Sequence, residues 1–177
     1  MHPRTRMPGY PSVPVDPLSE YRVEKSRANA TLTMTNGNVV HGCFFLSGTS
    51  RTHAGPEGVR DVLNGEPGFF PFEAGRSGDS KTVLYNREHL VLVELQDKGE
   101  PSRVPGYDIA IEKIVTALMS NGVRLRGAVR VFLPHGSDRL SDFARAHESF
   151  RYLEAENATY IINVQHLVEL AEEPSAS

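Results

Sequence analysis

The sequence contains one short pattern twice, and this repetition constrains the fold more than any other feature. "NGNVVHG" runs from Asn36 to Gly42, and "NGVRLRG" runs from Asn121 to Gly127. Asn-Gly supplies the two positive-φ positions of a type I′ turn between antiparallel strands. A glycine inside a strand costs stability unless the strand bends there or another backbone comes close. The pattern therefore predicts two equivalent hairpins, with structural roles for Asn36, Gly37, Gly42, Asn121, Gly122 and Gly127.

Two further anchors follow each hairpin in the same order. Asp61, Phe69 and Glu73 share their spacing with Asp142, Phe150 and Glu154. Both series then close on Asn-x-x-His-Leu-Val, at residues 86–91 and 163–168. We interpret the chain as an internal duplication, and a repeat of about 65 residues is too long for a solenoid. The sequence therefore predicts two small domains side by side.

Alternation of apolar and polar residues predicts five strands in each copy, with a long or helical insertion between the second and third. In copy two "SDRLSDFARA" predicts a helix within Ser137–His147, capped by Ser137 or Asp138. "GFFPF" supplies three phenylalanines, of which two are expected to fill the core and Phe70 to lie outside at an interface. The predicted division is a proline-rich tail with a short helix at "LSEYRVEKSRA" (1–27), copy one (28–96), a linker (97–112), copy two (113–172) and a second tail (173–177).

Composition and motifs exclude several classes of function. A net charge of −3 gives no overall attraction for polyanions, and the single cysteine, Cys43, excludes an intrachain disulfide and a multi-cysteine zinc site. No apolar run approaches the roughly 18 residues of a membrane span, and the first residues lack a signal-peptide core. Phosphate loops, nucleophile elbows and close metal-ligand spacings are also missing. We therefore expect a cytoplasmic protein without catalytic residues, cofactor, metal or membrane partner.

These strands and turns resemble the Sm/LSm superfamily with its bacterial Hfq branch. "LMSNGVRLRGAVRVF" is similar to the first Hfq-type motif, and "VLYNREHLVLVEL" and "YIINVQHLVEL" resemble the second Sm motif, two strands flanking a tight turn. The resemblance covers residues 30–95 and 113–172. It implies an all-β fold of two tandem five-stranded small barrels with short helices. The residues alone leave open a twisted sheet in which the inner glycine is incidental.

The resemblance also implies contacts to single-stranded RNA at the turn before the last strand, although the family's first RNA loop is replaced by the insertions. Candidate nucleic-acid-binding residues at these turns are Asn86, Arg87, His89, Asn163 and His166, with both histidines one residue later than in Hfq. Alternating arginines on one strand, Arg124, Arg126 and Arg130, form a candidate phosphate-binding stripe. The alternative is that the histidines and asparagines stabilise the turns and the arginines form a solvated face.

Two functions remain open at this point. One is a scaffold or adaptor that works through protein contacts and oligomerisation with an unidentified protein partner, and the other is a divergent binder of single-stranded RNA. In the family, the fifth strand of one subunit pairs with the fourth strand of the next. The resemblance therefore predicts that "HLVLVEL" pairs with "TYIINV" inside the chain, which leaves "KTVLYN" and "HLVELAE" as free edges. Free apolar edges need covering, so we expect a homo-oligomer, either a trimeric pseudo-hexamer or a face-to-face dimer.

Overall fold

A computed structural model describes residues 25–76, 78–131, 140–145 and 147–174. All ten predicted strands are present and form one antiparallel sheet. The strands are β1 (Ser26–Met34), β2 (Val39–Leu46), β3 (Phe69–Arg76), β4 (Asp79–Asn86), β5 (Leu90–Leu95), β6 (Ile111–Met119), β7 (Arg124–Val131), β8 (Phe150–Glu154), β9 (Thr159–Asn163) and β10 (Leu167–Glu172). Two helices, α1 (Val59–Asn64) and α2 (Leu140–Arg145), follow β2 and β7. Short 3-10 turns occupy Arg87–His89, Glu100–Arg103, Tyr107–Ile109 and Val164–His166.

The strand order is equivalent in the two halves of the chain. It runs β10-β6-β7-β8-β9-β5-β1-β2-β3-β4, so each copy has its fifth strand beside its first and its fourth strand at the far end. The copies join where β5 pairs with β9, with Leu92 opposite Ile162 and Leu95 opposite Thr159. The predicted pairing inside the chain is therefore confirmed. Strands β4 and β10 are the two edges of the sheet, and among the described residues they do not pair with each other.

The inner glycine of each pattern lies in the middle of a strand, where the neighbouring strand comes close. A Cβ atom on Gly42 would overlap the carbonyl oxygen of Glu73, and one on Gly127 would lie 2.6 Å from the carbonyl oxygen of Glu154. Real Cβ atoms do not approach a backbone so closely, so both positions require glycine. This confirms the predicted structural role and gives its cause, the close approach of β3 to β2 and of β8 to β7.

The predicted type I′ turns are wrong. In the described residues positive φ occurs only at glycines, so Asn36 and Asn121 do not adopt it. The first turn instead closes with a hydrogen bond from Gly37 N to Met34 O (3.0 Å), and Gly37 itself is left-handed, with φ 83°. The side chain of Asn36 accepts a hydrogen bond from Asn38 N (3.0 Å). A longer loop with a left-handed glycine is the next common hairpin solution, and copy two repeats it.

The insertions and the linker are partly as expected. Helix α2 lies within Ser137–His147 as predicted, whereas the proposed caps Ser137 and Asp138 lie outside the described residues. The predicted N-terminal helix is wrong at its end, because β1 already begins at Ser26; the rest of it, up to residue 24, lies outside the described residues. The linker packs against the sheet, since Glu100 and Pro101 are buried. Neither of the described helices is long and apolar enough to cross a membrane.

Each of the two hydrophobic cores contains side chains from the other copy. The core of copy one contains Phe150 and Ile161 from copy two, and the core of copy two contains Val91 and Leu92 from copy one. Each copy is therefore completed by the strands of the other along the β5–β9 junction.

Candidate functional site

The 3-10 turns that precede β5 and β10 lie against each other at the junction. The side chain of Asn163, which is 1% exposed, accepts a hydrogen bond from Gln165 N (3.1 Å) and donates to the carbonyl oxygen of Leu90 (2.9 Å). His166 Nε2 lies 2.7 Å from the carbonyl oxygen of Glu88. The turn of copy two is thus bonded to the turn of copy one.

Helix α1 provides a second set of contacts across the junction. Asn64 donates to the carbonyl oxygen of Phe150 (2.8 Å) and accepts from its amide (2.9 Å), which satisfies both backbone groups at the start of β8. The guanidinium of Arg60 lies over the ring of Tyr152 at 5.0 Å and 3.6 Å from the carboxylate of Glu148. Helix α1, in the insertion of copy one, therefore binds the start of β8 in copy two.

A buried carboxylate in the linker ties these parts together. Glu100 is 4% exposed and accepts hydrogen bonds from the Tyr152 hydroxyl (2.7 Å) and from Arg60 N (3.3 Å) at the start of α1. Burial raises the pKa of Glu100, and the hydrogen bond from Tyr152 lowers it in part. Burial also raises the pKa of Tyr152, with a further rise from the neighbouring Glu100 charge. The Glu100 side chain thus links the start of α1 to Tyr152 of copy two.

The structure brings the five candidate turn residues together and gives most of them internal partners. Asn86 accepts a hydrogen bond from Glu88 N (3.0 Å), just as Asn163 does from Gln165 N. His89 Nδ1 lies 3.3 Å from Thr35 Oγ1, and in copy two His166 Nδ1 lies 3.2 Å from Ser120 Oγ. The side chains therefore stabilise the turns, as the alternative interpretation stated.

Arg87 has a role that the sequence did not indicate. Its guanidinium donates to the carbonyl oxygens of Val62 (2.9 Å), Leu63 (3.1 Å) and Phe69 (2.8 Å), at the end of α1 and the start of β3. It also lies over the ring of Phe70 at 5.5 Å, and burial lowers its pKa. A cation at this position satisfies carbonyls that the helix leaves unpaired. Arg87 thus joins the end of α1 to the start of β3.

The three arginines of the candidate phosphate stripe lie on β7 and face carboxylates. Arg126 is paired with Glu173 at 2.7 Å, and Arg124 lies 3.8 Å from Glu169. Arg130 contacts Glu112 (2.8 Å) and Glu154 (3.1 Å) and lies over the ring of Tyr107. A phosphate at this stripe would compete with these internal partners.

Apolar side chains on the two edge strands and on β3, next to one of them, are exposed, whereas their counterparts are buried at the junction. On copy one Leu84 is 64% exposed and Phe69 is 62% exposed, whereas their counterparts Ile161 and Phe150 are 0% and 3% exposed. On β10, Val168 is 65% exposed, and its counterpart Val91 is fully buried. The sequence prediction for Phe70 is wrong, because Phe70 pairs with Tyr85 and points inward, onto Phe44 at 5.4 Å. Phe69 is the exposed phenylalanine.

A groove of about 480 Å³ lies beside the exposed residues of β4. It is formed by the first hairpin and the end of β4, and its lining includes Met34, Asn38, Val40, Leu84, Tyr85 and His89. This groove and the edge of β4 form one continuous surface, which we call the β4 surface.

The single cysteine of the chain lies beside a carboxylate. Cys43 Sγ lies 3.5 Å from Glu73, whose carboxylate is also paired with Arg27 at 2.9 Å. Burial and the neighbouring Glu73 raise the pKa of Cys43, which keeps the thiol protonated and weakly nucleophilic. The described residues contain no group of three or more His, Cys, Asp or Glu side chains suited to a metal ion.

Comparisons with protein-family models, with curated proteins and with solved structures find no match to this chain.

Proposed function

We propose that the chain is a non-enzymatic scaffold of two tandem Sm-like five-stranded barrels that works through protein–protein contacts, beginning with contacts to further copies of itself. The observation that carries this proposal is the match between exposed and buried counterparts. Leu84, Phe69 and Val168 occupy the positions that are buried in the internal junction, so a second chain would cover them in the same way. Strand β4 of one chain would then pair with β10 of the next.

The internal junction supplies the register of this contact. Within the chain Leu92 stands opposite Ile162, and Val93 stands opposite Ile161. The same register at the outer edges places Glu169 opposite Tyr85 and Leu170 opposite Leu84 of the next chain. Leu84 would enter the core of copy two, in which Leu170 and Leu167 are only partly buried.

Edge chemistry supports self-association. An unpaired strand edge is a template for another strand, and a proline would remove one of the backbone donors that such pairing needs. The sequences of β4 and β10 contain no proline. Repetition of the β4–β10 contact would close a trimeric ring of six barrels, and the alternative is a face-to-face dimer.

Charge substitutions at the edges test the proposal in the full chain. Leu84→Arg and Val168→Arg alter exposed side chains, so both variants should fold as monomers and lose assembly. Ile109→Arg is the matched control, because Ile109 is 87% exposed on a 3-10 turn and belongs to neither β4 nor β10. The measurement is light scattering coupled to size exclusion. A wild-type mass of 19.6 kDa at tens of micromolar would contradict the proposal.

A mixing experiment separates the head-to-tail contact from the face-to-face dimer. Leu84→Arg keeps an intact β10 edge, and Val168→Arg keeps an intact β4 surface. An equimolar mixture should therefore form a dimer that neither variant forms alone. A mixture that stays monomeric while the wild-type protein assembles would favour the face-to-face arrangement.

Single-stranded RNA binding is a second candidate, because Asn86, Arg87, His89, Asn163 and His166 lie at adjoining turns. The pairing of the β7 arginines with carboxylates makes it the weaker one. Fluorescence anisotropy with labelled U-rich and A-rich oligonucleotides at low salt is the test. Absence of binding at about 10 µM, within the range of typical non-specific affinities, would remove this candidate.

A further inference from the structure

The contact proposed above differs from the internal junction at one pair of positions. Inside the chain the β5 residue of this pair is Leu92, which is 5% exposed and belongs to the core of copy two together with Ile162. At the outer edge the counterpart of Leu92 is Glu169, and the counterpart of Ile162 is Tyr85. An apolar pair is thus replaced by a carboxylate and a phenol.

The grooves that receive these side chains change in the same direction. In copy two the partly buried Leu125 packs against the core that contains Ile162, and the apolar residue Val123 lies two positions before Leu125 in the sequence. In the groove of the β4 surface the equivalent positions hold Val40 and Asn38, beside Tyr85. The edge residue Glu169 and one groove position, Asn38, are therefore both more polar than their counterparts at the internal junction.

Tyr85 and Glu169 each have a neighbour within the chain that bears on this contact. The ring of Tyr85 packs against Phe70 (6.2 Å between centroids) and Phe72 (6.1 Å), which limits its movement. Glu169 lies 3.8 Å from Arg124, so its carboxylate would enter the groove with a counter-charge nearby. A buried carboxylate is tolerated when it is paired and hydrogen-bonded.

We infer that Glu169 of one chain and Tyr85 of a second copy form the contact that determines which edges pair, with the phenol of Tyr85 donating a hydrogen bond to the carboxylate of Glu169. This inference rests on the proposed self-association. It explains which edges pair. Glu169 would be a buried charge in the apolar groove of copy two, and Leu92 in the groove of the β4 surface would leave the Tyr85 hydroxyl without a partner. Such mismatches discriminate between partners by penalising the wrong one.

A double-mutant cycle in the full-length protein tests the pair. Tyr85→Phe and Glu169→Leu should each weaken self-association about tenfold or more, because a charged hydrogen bond is lost and its partner stays buried. The double variant should recover most of the affinity, because it recreates an apolar pair. Tyr160→Phe is the control, since Tyr160 stands opposite Glu94 at the internal junction and should leave association unchanged. Sedimentation velocity over a dilution series gives the dissociation constants.

The outcomes separate this inference from the proposed function. If the wild-type protein assembles and both single variants associate as tightly as it does, the inference is wrong and the scaffold proposal stands. Additive losses in the double variant would likewise overturn the pairing of these two residues. A wild-type protein that stays monomeric throughout the dilution series would reject both. Circular dichroism of each variant confirms that the fold is retained.

Discussion

Replacing Gly42 by alanine gives the most direct test of the close approach between β2 and β3. The new methyl group would overlap the carbonyl oxygen of Glu73 and lie 2.6 Å from a ring carbon of Phe72. The carbonyl cannot move away without disturbing the pairs Gly42–Ala74 and Cys43–Glu73 that join these strands. Overpacking costs about 1–3 kcal/mol, and weakening of one or two backbone hydrogen bonds adds about 1 kcal/mol each.

The expected loss for Gly42→Ala is therefore about 2–5 kcal/mol, which corresponds to a fall in Tm of roughly 5–15 °C for a domain of this size. Thermal unfolding followed by circular dichroism measures it. Gly48→Ala is the control, because a Cβ atom there meets nothing within 4 Å and the backbone is not left-handed. Equal melting temperatures for Gly42→Ala and Gly48→Ala would refute the reasoning.

Three further predictions concern the junction and the turns. Asn163→Ala should destabilise the chain by about 2–4 kcal/mol in urea unfolding, since it removes a turn cap and a donor to a buried carbonyl, whereas Asn86→Ala should cost about 1 kcal/mol. Arg87→Gln should expose α1 to proteolysis before the sheet, because three carbonyl oxygens lose their donor; unchanged cleavage would contradict this. The pKa of Glu100 is raised in the folded state, so folding favours the protonated side chain. Its contribution to the free energy of unfolding is therefore fully present below the unfolded pKa of about 4.3 and is lost as pH rises through the folded pKa. Glu100→Gln should therefore gain stability relative to the wild type as pH rises from 4 to 8, as measured by urea unfolding.

The strands were predicted correctly because the repeat supplied two examples of one pattern, whereas the pairing at the junction was predicted from the family resemblance. The glycine at the same place in both copies indicated a structural role, and the structure gives its cause at Gly42 and Gly127. The turn type was wrong because Asn-Gly suits more than one hairpin loop, and the choice depends on the pairing of the flanking strands. Phe70 was assigned to the wrong face because a slip of one residue inverts every side chain of a strand.

The site was less accessible from the sequence than the fold. The exposed residues on β4 and β10 have a sequence signal, since aligning the copies shows which apolar positions recur at the junction. The role of Arg87 has none, because its partners at Val62 and Leu63 are brought near only by tertiary structure. The same holds for Glu100, a charged linker residue whose burial depends on Tyr152.

The exchange of core residues between the copies has a consequence for synthesis of the chain. Phe150 and Ile161 complete the core of copy one, yet they follow its last strand by more than fifty residues. Copy one leaves the ribosome first, with the apolar face beneath β5 uncovered, and synthesis at about 5–20 residues per second leaves it so for several seconds. Transiently exposed apolar surface of this kind is prone to aggregation until the missing strands are made. A stop codon in the linker should therefore yield a fragment that aggregates, because copy one would lack Phe150 and Ile161 from its core.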